Sequence, residues 1–282
     1  MQNSAPKNPR TALMVSAANP KHLAKLPDLK ADIALINLED GVSPQQKPQA
    51  LRDACEAIAK YRDLGPMKVV RINPLKESGA EEIAALNAVR PHAVRLPKVR
   101  HVSQVEKALE LLDGGIDLHL SIETKEAFNS VASLKISDRV TTVYLGILDL
   151  LESLRLPQNL LAIDNPTIHY LLAKFLIDSK AAGFHPFSFV YQNHRDLEGF
   201  RRWCALEKSM GLEAKSCISP DQAAIAAEIF GNDAQIIEEA RYVKERFEAM
   251  AAQGVTGFAD DRLGFIDEPI YKNALLVLSK GA

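Results

Sequence analysis

The chain has 282 residues, 47% hydrophobic and 25% charged, which suits one α/β barrel with a short extension or two small domains. A formal net charge of −2 excludes the basic footprint of a nucleic-acid binder and a polybasic membrane patch, and no apolar run approaches the ~20 residues that span a bilayer. Cys55, Cys204 and Cys217 show neither paired nor metal-ligand spacing, so they read as reduced thiols of a cytoplasmic protein.

The opening MQNSAPKNPR has no apolar h-region and reads as a polar lead-in, not a signal peptide. Short apolar runs then alternate with amphipathic stretches as far as about residue 218. In order the runs are ALMVSA, DIALINL, KVVRIN, HAVRLPK, DLHLSIE, VTTVYLG, PFSFVYQ and, least regular, AKSCIS. Most are nearly continuous in apolar residues and lack alternation, as expected of parallel strands covered on both faces.

The stretches between them read as helices. Ser43-Pro44 supplies an N-cap with proline at the first helical position, and Ser103 to Glu106 fits a capping box. Asn165-Pro166 opens another helix that Gly183 closes, and a further one runs from residue 197 to 210. Repeated β–α units imply a parallel sheet with right-handed crossovers, and about eight of them close a (β/α)₈ TIM barrel. An open doubly wound sheet is the alternative, but no G-x-G-x-x-G follows the first strand.

After Gly211 the character changes. Residues 220–252 read as two helices broken at Gly231-Asn232, followed by a glycine-dotted acidic loop, GVTGFADDRLGFIDEP, and a last helix from about Ile270. The expected division is a catalytic barrel over residues 1–225 and a helical extension or lid over 226–282, packed on the barrel's outside or on a neighbouring subunit.

Catalytic groups of such a barrel stand at the C-terminal ends of the strands. Asn37 to Gly41, Arg71 to Pro74, Pro97-Lys98, Glu123-Thr124 and Gly146 to Asp149 occupy those ends. Magnesium takes one or two carboxylates and completes its octahedron with water and substrate oxygens, and Glu123 and Asp149 are placed to supply them; manganese suits the same donors. Asp40 or Glu39 is placed to hold metal-bound water. Arg71 has the planar fork that grips a carboxylate, with Lys98 and Asn73 as further substrate-binding candidates. Taken singly, Asp149 also reads as a helix cap or loop charge, and Arg71 as a structural ion pair to Asp40.

In order, these pieces resemble the HpcH/HpaI aldolase and citrate lyase β-subunit family from about residue 10 to 278. RTALMV matches the family's R-S-x-L-F-V, and NLEDGVSPQQK its D-L-E-D-A-V-x-x-x-x-K. VVRINP, RLPKV, SIET, LGILDL, RDLEGF and GFIDEPIYKNA match V-R-V-N, L-P-K-V, I-E-T, F-G-x-x-D-L, R-D-x-E-G and the M-I-D-x-P helix start. The resemblance implies a (β/α)₈ barrel, usually in homotrimers or homohexamers, with a C-terminal extension over a neighbouring barrel. It implies a magnesium-dependent carbon–carbon lyase acting on a 2-oxo acid and a CoA or acyl-carrier thioester. Glu123 and Asp149 become metal ligands, Arg71 the substrate clamp, Asp40 the support of metal-bound water, and Asp267 an acid/base delivered from the adjacent subunit. The chain departs from the family at Ser16-Ala17, which replaces Pro-Gly, at Asn37, at Gln192-Asn193, and at Ser219, which replaces a histidine of the outer, thioester-facing pocket. Ser219 therefore counts among the substrate-binding candidates, with an altered thioester, a CoA-free aldolase or a non-catalytic paralogue as alternatives.

Overall fold

The computed structural model describes residues 8–231 and 234–280. The lead-in before residue 8 and Asn232 of the expected helix break fall outside them. Two compact units divide after Phe230.

The first unit carries strands β1 (Thr11–Ser16), β2 (Ile33–Asn37), β3 (Met67–Arg71), β4 (Ala93–Leu96), β5 (Asp117–Ile122), β6 (Val140–Leu145), β7 (His185–Phe187) and β8 (Lys215–Cys217). Helices α1 (Pro20–Leu23), α2 (Lys47–Tyr61), α3 (Ala80–Val89), α4 (Val102–Leu111), α5 (Lys125–Asn129), α6 (Ile147–Ser153), α7 (Pro166–Ala181), α8 (Leu197–Met210) and α9 (Pro220–Ile229) alternate with them. The eight strands form one parallel sheet in the order β7-β6-β5-β4-β3-β2-β1-β8. A parallel bridge between Ser188 and Lys215 joins its two ends, so the sheet closes into the expected TIM barrel.

Within the strands, residues alternate between two cores. Ala34, Ile36, Val70, Val94, Leu96, Leu118, Leu120 and Ile122 belong to the large core shared with the helices. Ile33, Leu35, Val69, Ala93, Tyr144, Phe187 and Ala214 form a smaller interior cluster. Both faces of the strands are thus covered, as the nearly continuous apolar runs imply. Their two faces meet two apolar environments near the N-terminal ends, and only toward the C-terminal ends does the inner set turn polar. Asn37, Arg71, Arg95 and His119 are successive register partners across β2 to β5, forming one polar row.

Two helix starts differ from expectation. α2 begins at Lys47 with Pro48 in its first turn, and Ser43 instead donates through Oγ to Gln46 Oε1 at 2.9 Å in the preceding turn. α4 begins at Val102, and its Gln104 side chain accepts from His101 N at 3.2 Å. Asn165 caps α7 as expected, accepting from Thr167 N, and Gly183 beyond its end adopts φ 80. Helix α9 stays with the barrel, because Ala223, Ala226 and Phe230 are buried with Leu13 and Phe200. The boundary between units therefore lies beyond residue 225.

The second unit contains α10 (Ala234–Ala251), strands β9 (Gly257–Asp260) and β10 (Gly264–Asp267), and α11 (Glu268–Lys280). The expected glycine-dotted loop is instead an antiparallel hairpin. The Asp260 carboxylate ties its turn, accepting from Arg262 N at 3.0 Å and Leu263 N at 3.1 Å, and Gly264 supplies a φ of 81. Ala240, Val243, Phe247, Phe258, Ile266 and Ala274 form this unit's own core. Among the described residues no helix is long and apolar enough to cross a membrane.

Candidate active site

A cavity of about 280 Å³ opens at the C-terminal ends of the strands. Asp40, Arg71, Arg95, Glu123, Gly146, Asp149, Gln192 and Ser216 are among the residues that line it. Glu123 follows β5 directly, and Asp149 lies in the first turn of α6 after β6.

Glu123 is buried, and its Oε1 accepts from the backbone N–H of Lys98 at 2.6 Å. Lys98 takes a φ of 52, a left-handed conformation that is costly for a residue with a Cβ and is kept here where the chain must turn its amide inward. Burial raises the Glu123 carboxyl above its ordinary range, and the Asp149 charge adds to that rise while Arg95 and the Lys98 amide oppose it. Burial also raises Asp149, against the pull of Lys98.

Glu39 is the centre of the cationic side. Arg71 Nη2 stands 3.0 Å from Glu39 Oε2 and 3.9 Å from Asp40 Oδ2, while Lys98 Nζ stands 3.6 Å from Glu39 Oε1. Neither buried Glu39 oxygen has a hydrogen bond of ordinary geometry, so the interaction is Coulombic. Burial pushes Glu39 up to about 7, with Arg71 as the main opposing influence. Arg71 Nε donates to Asn37 Oδ1 at 2.7 Å. The ammonium of Lys98 loses some hydration, but Asp40, Glu39, Asp149 and Glu123 together outweigh that and raise its pKa.

The structure thus brings Arg71, Asp40, Glu123 and Asp149 to one cavity, with Lys98 beside Glu39. Asn73 and Ser219 are elsewhere. Asn73 is fully buried; its Nδ2 donates to Leu38 O and Glu82 Oε1, and its backbone N–H donates to Glu82 Oε2 at 2.7 Å. Its amide is consumed in holding the β3 end to α3 and leaves nothing for a ligand. Ser219 caps α9, accepting from Gln222 N at 3.2 Å, and its neighbour Ile218 lines the cavity instead. Asp267 lies in the second unit, where its Oδ1 accepts from Ile270 N at 3.2 Å at the start of α11.

Among the described residues no group of three or more His, Cys, Asp or Glu side chains is gathered as a metal cage. Two carboxylates on one cavity, each burdened by burial in its charged form, match in chemistry the oxygen donors that a hard divalent ion takes when it keeps open positions for water and substrate. The residues present fit magnesium or manganese, and they do not fit a closed structural zinc site.

The sequence profile of the HpcH/HpaI aldolase/citrate lyase family matches residues 10–220. The chain belongs to this family. Citrate lyase subunit beta of Escherichia coli (strain K12) is 26% identical over 99% of this chain and 95% of the relative. (3S)-Malyl-CoA thioesterase of Cereibacter sphaeroides is also 26% identical, over 96% of this chain and 92% of its own length. The crystal structure of Mycobacterium tuberculosis CitE in complex with magnesium, acetoacetate and coenzyme A has a TM-score of 0.76 at 23% identity, covering 98% of each chain, which shows the common barrel fold.

In this HpcH/HpaI-family chain, sequence reasoning overlooked Arg95, Gln192 and Ser216 as cavity residues and ranked Glu39 behind Asp40. A signal for Arg95 was present: an arginine inside the otherwise apolar run HAVRLPK has to face a polar environment or a counter-charge.

Proposed function

We propose that this chain is a magnesium-dependent carbon–carbon lyase, or a condensing enzyme running the reverse reaction, that acts on a 2-oxo acid and an acyl thioester. The convergence of Glu123, Asp149 and Arg71 on one cavity carries this reading. Glu123 and Asp149 would hold the divalent ion, which when bound supplies Lewis-acid stabilisation of charge growing on the oxo-acid oxygen. Arg71, fixed by Asn37 and balanced by Glu39, turns its planar fork to the oxo-acid carboxylate. Asp40 at the cavity rim orients water near the carboxylate pair, and Lys98 holds Glu123 through its amide. Asp267 of a neighbouring subunit moves the α-proton of the acyl partner. The assembly is a homotrimer or homohexamer working in the cytoplasm.

A CoA-free aldolase is the second reading, favoured by Ser16-Ala17 and Ser219 in place of the family's outer-pocket residues. Turnover of acyl-CoA and 2-oxo-acid pairs with magnesium, scoring carbon–carbon cleavage and thioester hydrolysis separately, tests both. Asp149→Ala is expected to abolish metal-dependent turnover in a folded protein. Arg71→Lys is expected to impair it severely, because the charge remains but the fork is lost. An Asp149→Ala enzyme with wild-type magnesium-dependent turnover would overturn the proposal. So would a chain that binds no divalent ion, which is the behaviour of a non-catalytic paralogue.

A further inference from the structure

Two guanidinium groups face the cavity, and their circumstances differ. Arg71 is balanced by Glu39 and Asp40 and hydrogen-bonded to Asn37. Arg95, its register partner on β4, has no carboxylate at ion-pairing distance among the described residues. Glu123 feels the charge of Arg95 but does not pair with it, and Glu123 Oε1 is already taken by the Lys98 amide. Arg95 is 4% exposed. A buried cation without a partner is costly, and a second cation beside it adds to the cost. Burial and the neighbouring Arg71 accordingly lower the Arg95 pKa to about 10.

The group is nonetheless held in place. Its Nε donates to Ser121 Oγ at 2.8 Å, and its Cζ lies 4.2 Å from the centroid of the Tyr144 ring. Tyr144 is itself wedged between Phe187, stacked at 4.9 Å, and His119, whose Nδ1 lies 3.1 Å from the Tyr144 hydroxyl. Burial and the Arg95 charge push the His119 pKa down to about 3, so this platform is uncharged and offers no counter-charge. One hydrogen bond and one ring thus fix the plane of the fork while neutralising nothing. That is preorganisation for an anion that arrives with the ligand.

We propose that Arg95 forms a second anion subsite in the cavity, taking a substrate carboxylate other than the one beside Arg71, so that the oxo acid is a dicarboxylate. The inference rests on the lyase reading above and narrows its substrate class. A dicarboxylate would place one negative group at each guanidinium and relieve the repulsion between them. A monocarboxylate would leave Arg95 buried without a direct ion pair.

Calorimetry on the full chain with magnesium tests this, using freshly dissolved oxaloacetate and pyruvate, which differ by the one carboxylate in question. Wild type is expected to bind oxaloacetate roughly 10- to 100-fold more tightly than pyruvate, the span of a charge-assisted pair. Arg95→Met is expected to erase that preference, so that oxaloacetate binds no more tightly than pyruvate, with Arg95→Lys in between. Equal wild-type affinities, or an Arg95→Met variant that loses both ligands alike, would overturn the subsite and leave the 2-oxo-acid reading standing. Failure of both acids to bind would sink the subsite and the 2-oxo-acid reading together. Should Arg95→Met not fold, Arg95→Lys and the wild-type affinity ratio decide the question.

Discussion

Gly146 packs its bare Cα against Glu123: a Cβ at Gly146 would stand 2.5 Å from Glu123 Oε2 and 2.6 Å from Glu123 Cβ. The second of these distances involves an atom fixed to the backbone, so a methyl group cannot be accommodated by rotating a side-chain end. The glycine of LGILDL is thus what lets the carboxylate of one strand end lie against the start of α6.

Gly146→Ala should therefore displace Glu123 without removing it. Magnesium affinity is expected to fall by roughly 10- to 100-fold, the loss typical when a ligand's support is disturbed. Overpacking should cost stability by about 1–3 kcal/mol. Isothermal titration with magnesium and urea unfolding measure the two effects, and wild-type metal affinity in the variant would show that Glu123 is not a ligand.

Glu39 gives a pH signature. Its ordinary pKa of 4.5 is pushed up to about 7 by burial, with Arg71 opposing. Between those values the folded state holds a proton that the unfolded chain releases. The contribution to stability is therefore fully present below pH 4.5 and lost as pH rises through 7. Glu123 and Asp149 shift in the same direction. In metal-free protein, Glu39→Gln should flatten this decline, after allowance for the constant offset from depriving Arg71 of its partner. Urea unfolding at a series of pH values reads the slope, and one as steep as wild type would reject the assignment.

The barrel was legible because its strands are apolar for a general reason, burial on both faces, and because Asn165 and Gly183 follow ordinary capping rules. That Glu123, Asp149, Arg71 and Asp40 share one cavity was legible because a barrel gathers its strand ends at one mouth. Arg95 escaped because a continuous apolar reading hides which of two buried faces is the inner one. Asn73 was misplaced because its partner Glu82 comes from the following helix, and local sequence does not say that a strand-end amide is already spent. The hairpin at β9 and β10 escaped because two strands this short offer too little alternation to compete with the glycines and acidic residues around them.

The outer pocket should be poor at holding an ordinary CoA thioester. Ser16 and Ala17 stand where the family has a Pro-Gly turn, and glycine is what lets backbone approach a phosphate closely. Ser219 spends its hydroxyl on the Gln222 amide as the cap of α9. Acetyl-CoA and propionyl-CoA are expected to bind weakly even with magnesium present. Tight, magnesium-assisted binding by calorimetry would contradict this and would return the chain to the ordinary thioester chemistry of its family.

Asp267 has two possible employments that one pair of substitutions can separate. In the structure its Oδ1 accepts from Ile270 N, a helix-capping contact at the start of α11. Asparagine caps as well as aspartate, so Asp267→Asn should keep the cap and the melting temperature while removing the proton-carrying group. Asp267→Ala should lose the cap and about 1 kcal/mol of stability besides. If Asp267 moves the α-proton in a neighbour's active site, Asp267→Asn should lower turnover by roughly 10²- to 10⁴-fold with unchanged stability. Delivery in trans also requires a closed symmetric oligomer, because each barrel needs one such segment from the next. Mixing Asp267→Asn subunits with Asp149→Ala subunits should then restore activity, since some sites would combine an intact barrel with an intact Asp267. Full turnover by Asp267→Asn would leave Asp267 as a cap alone, and a monomer at assay concentration would exclude delivery in trans.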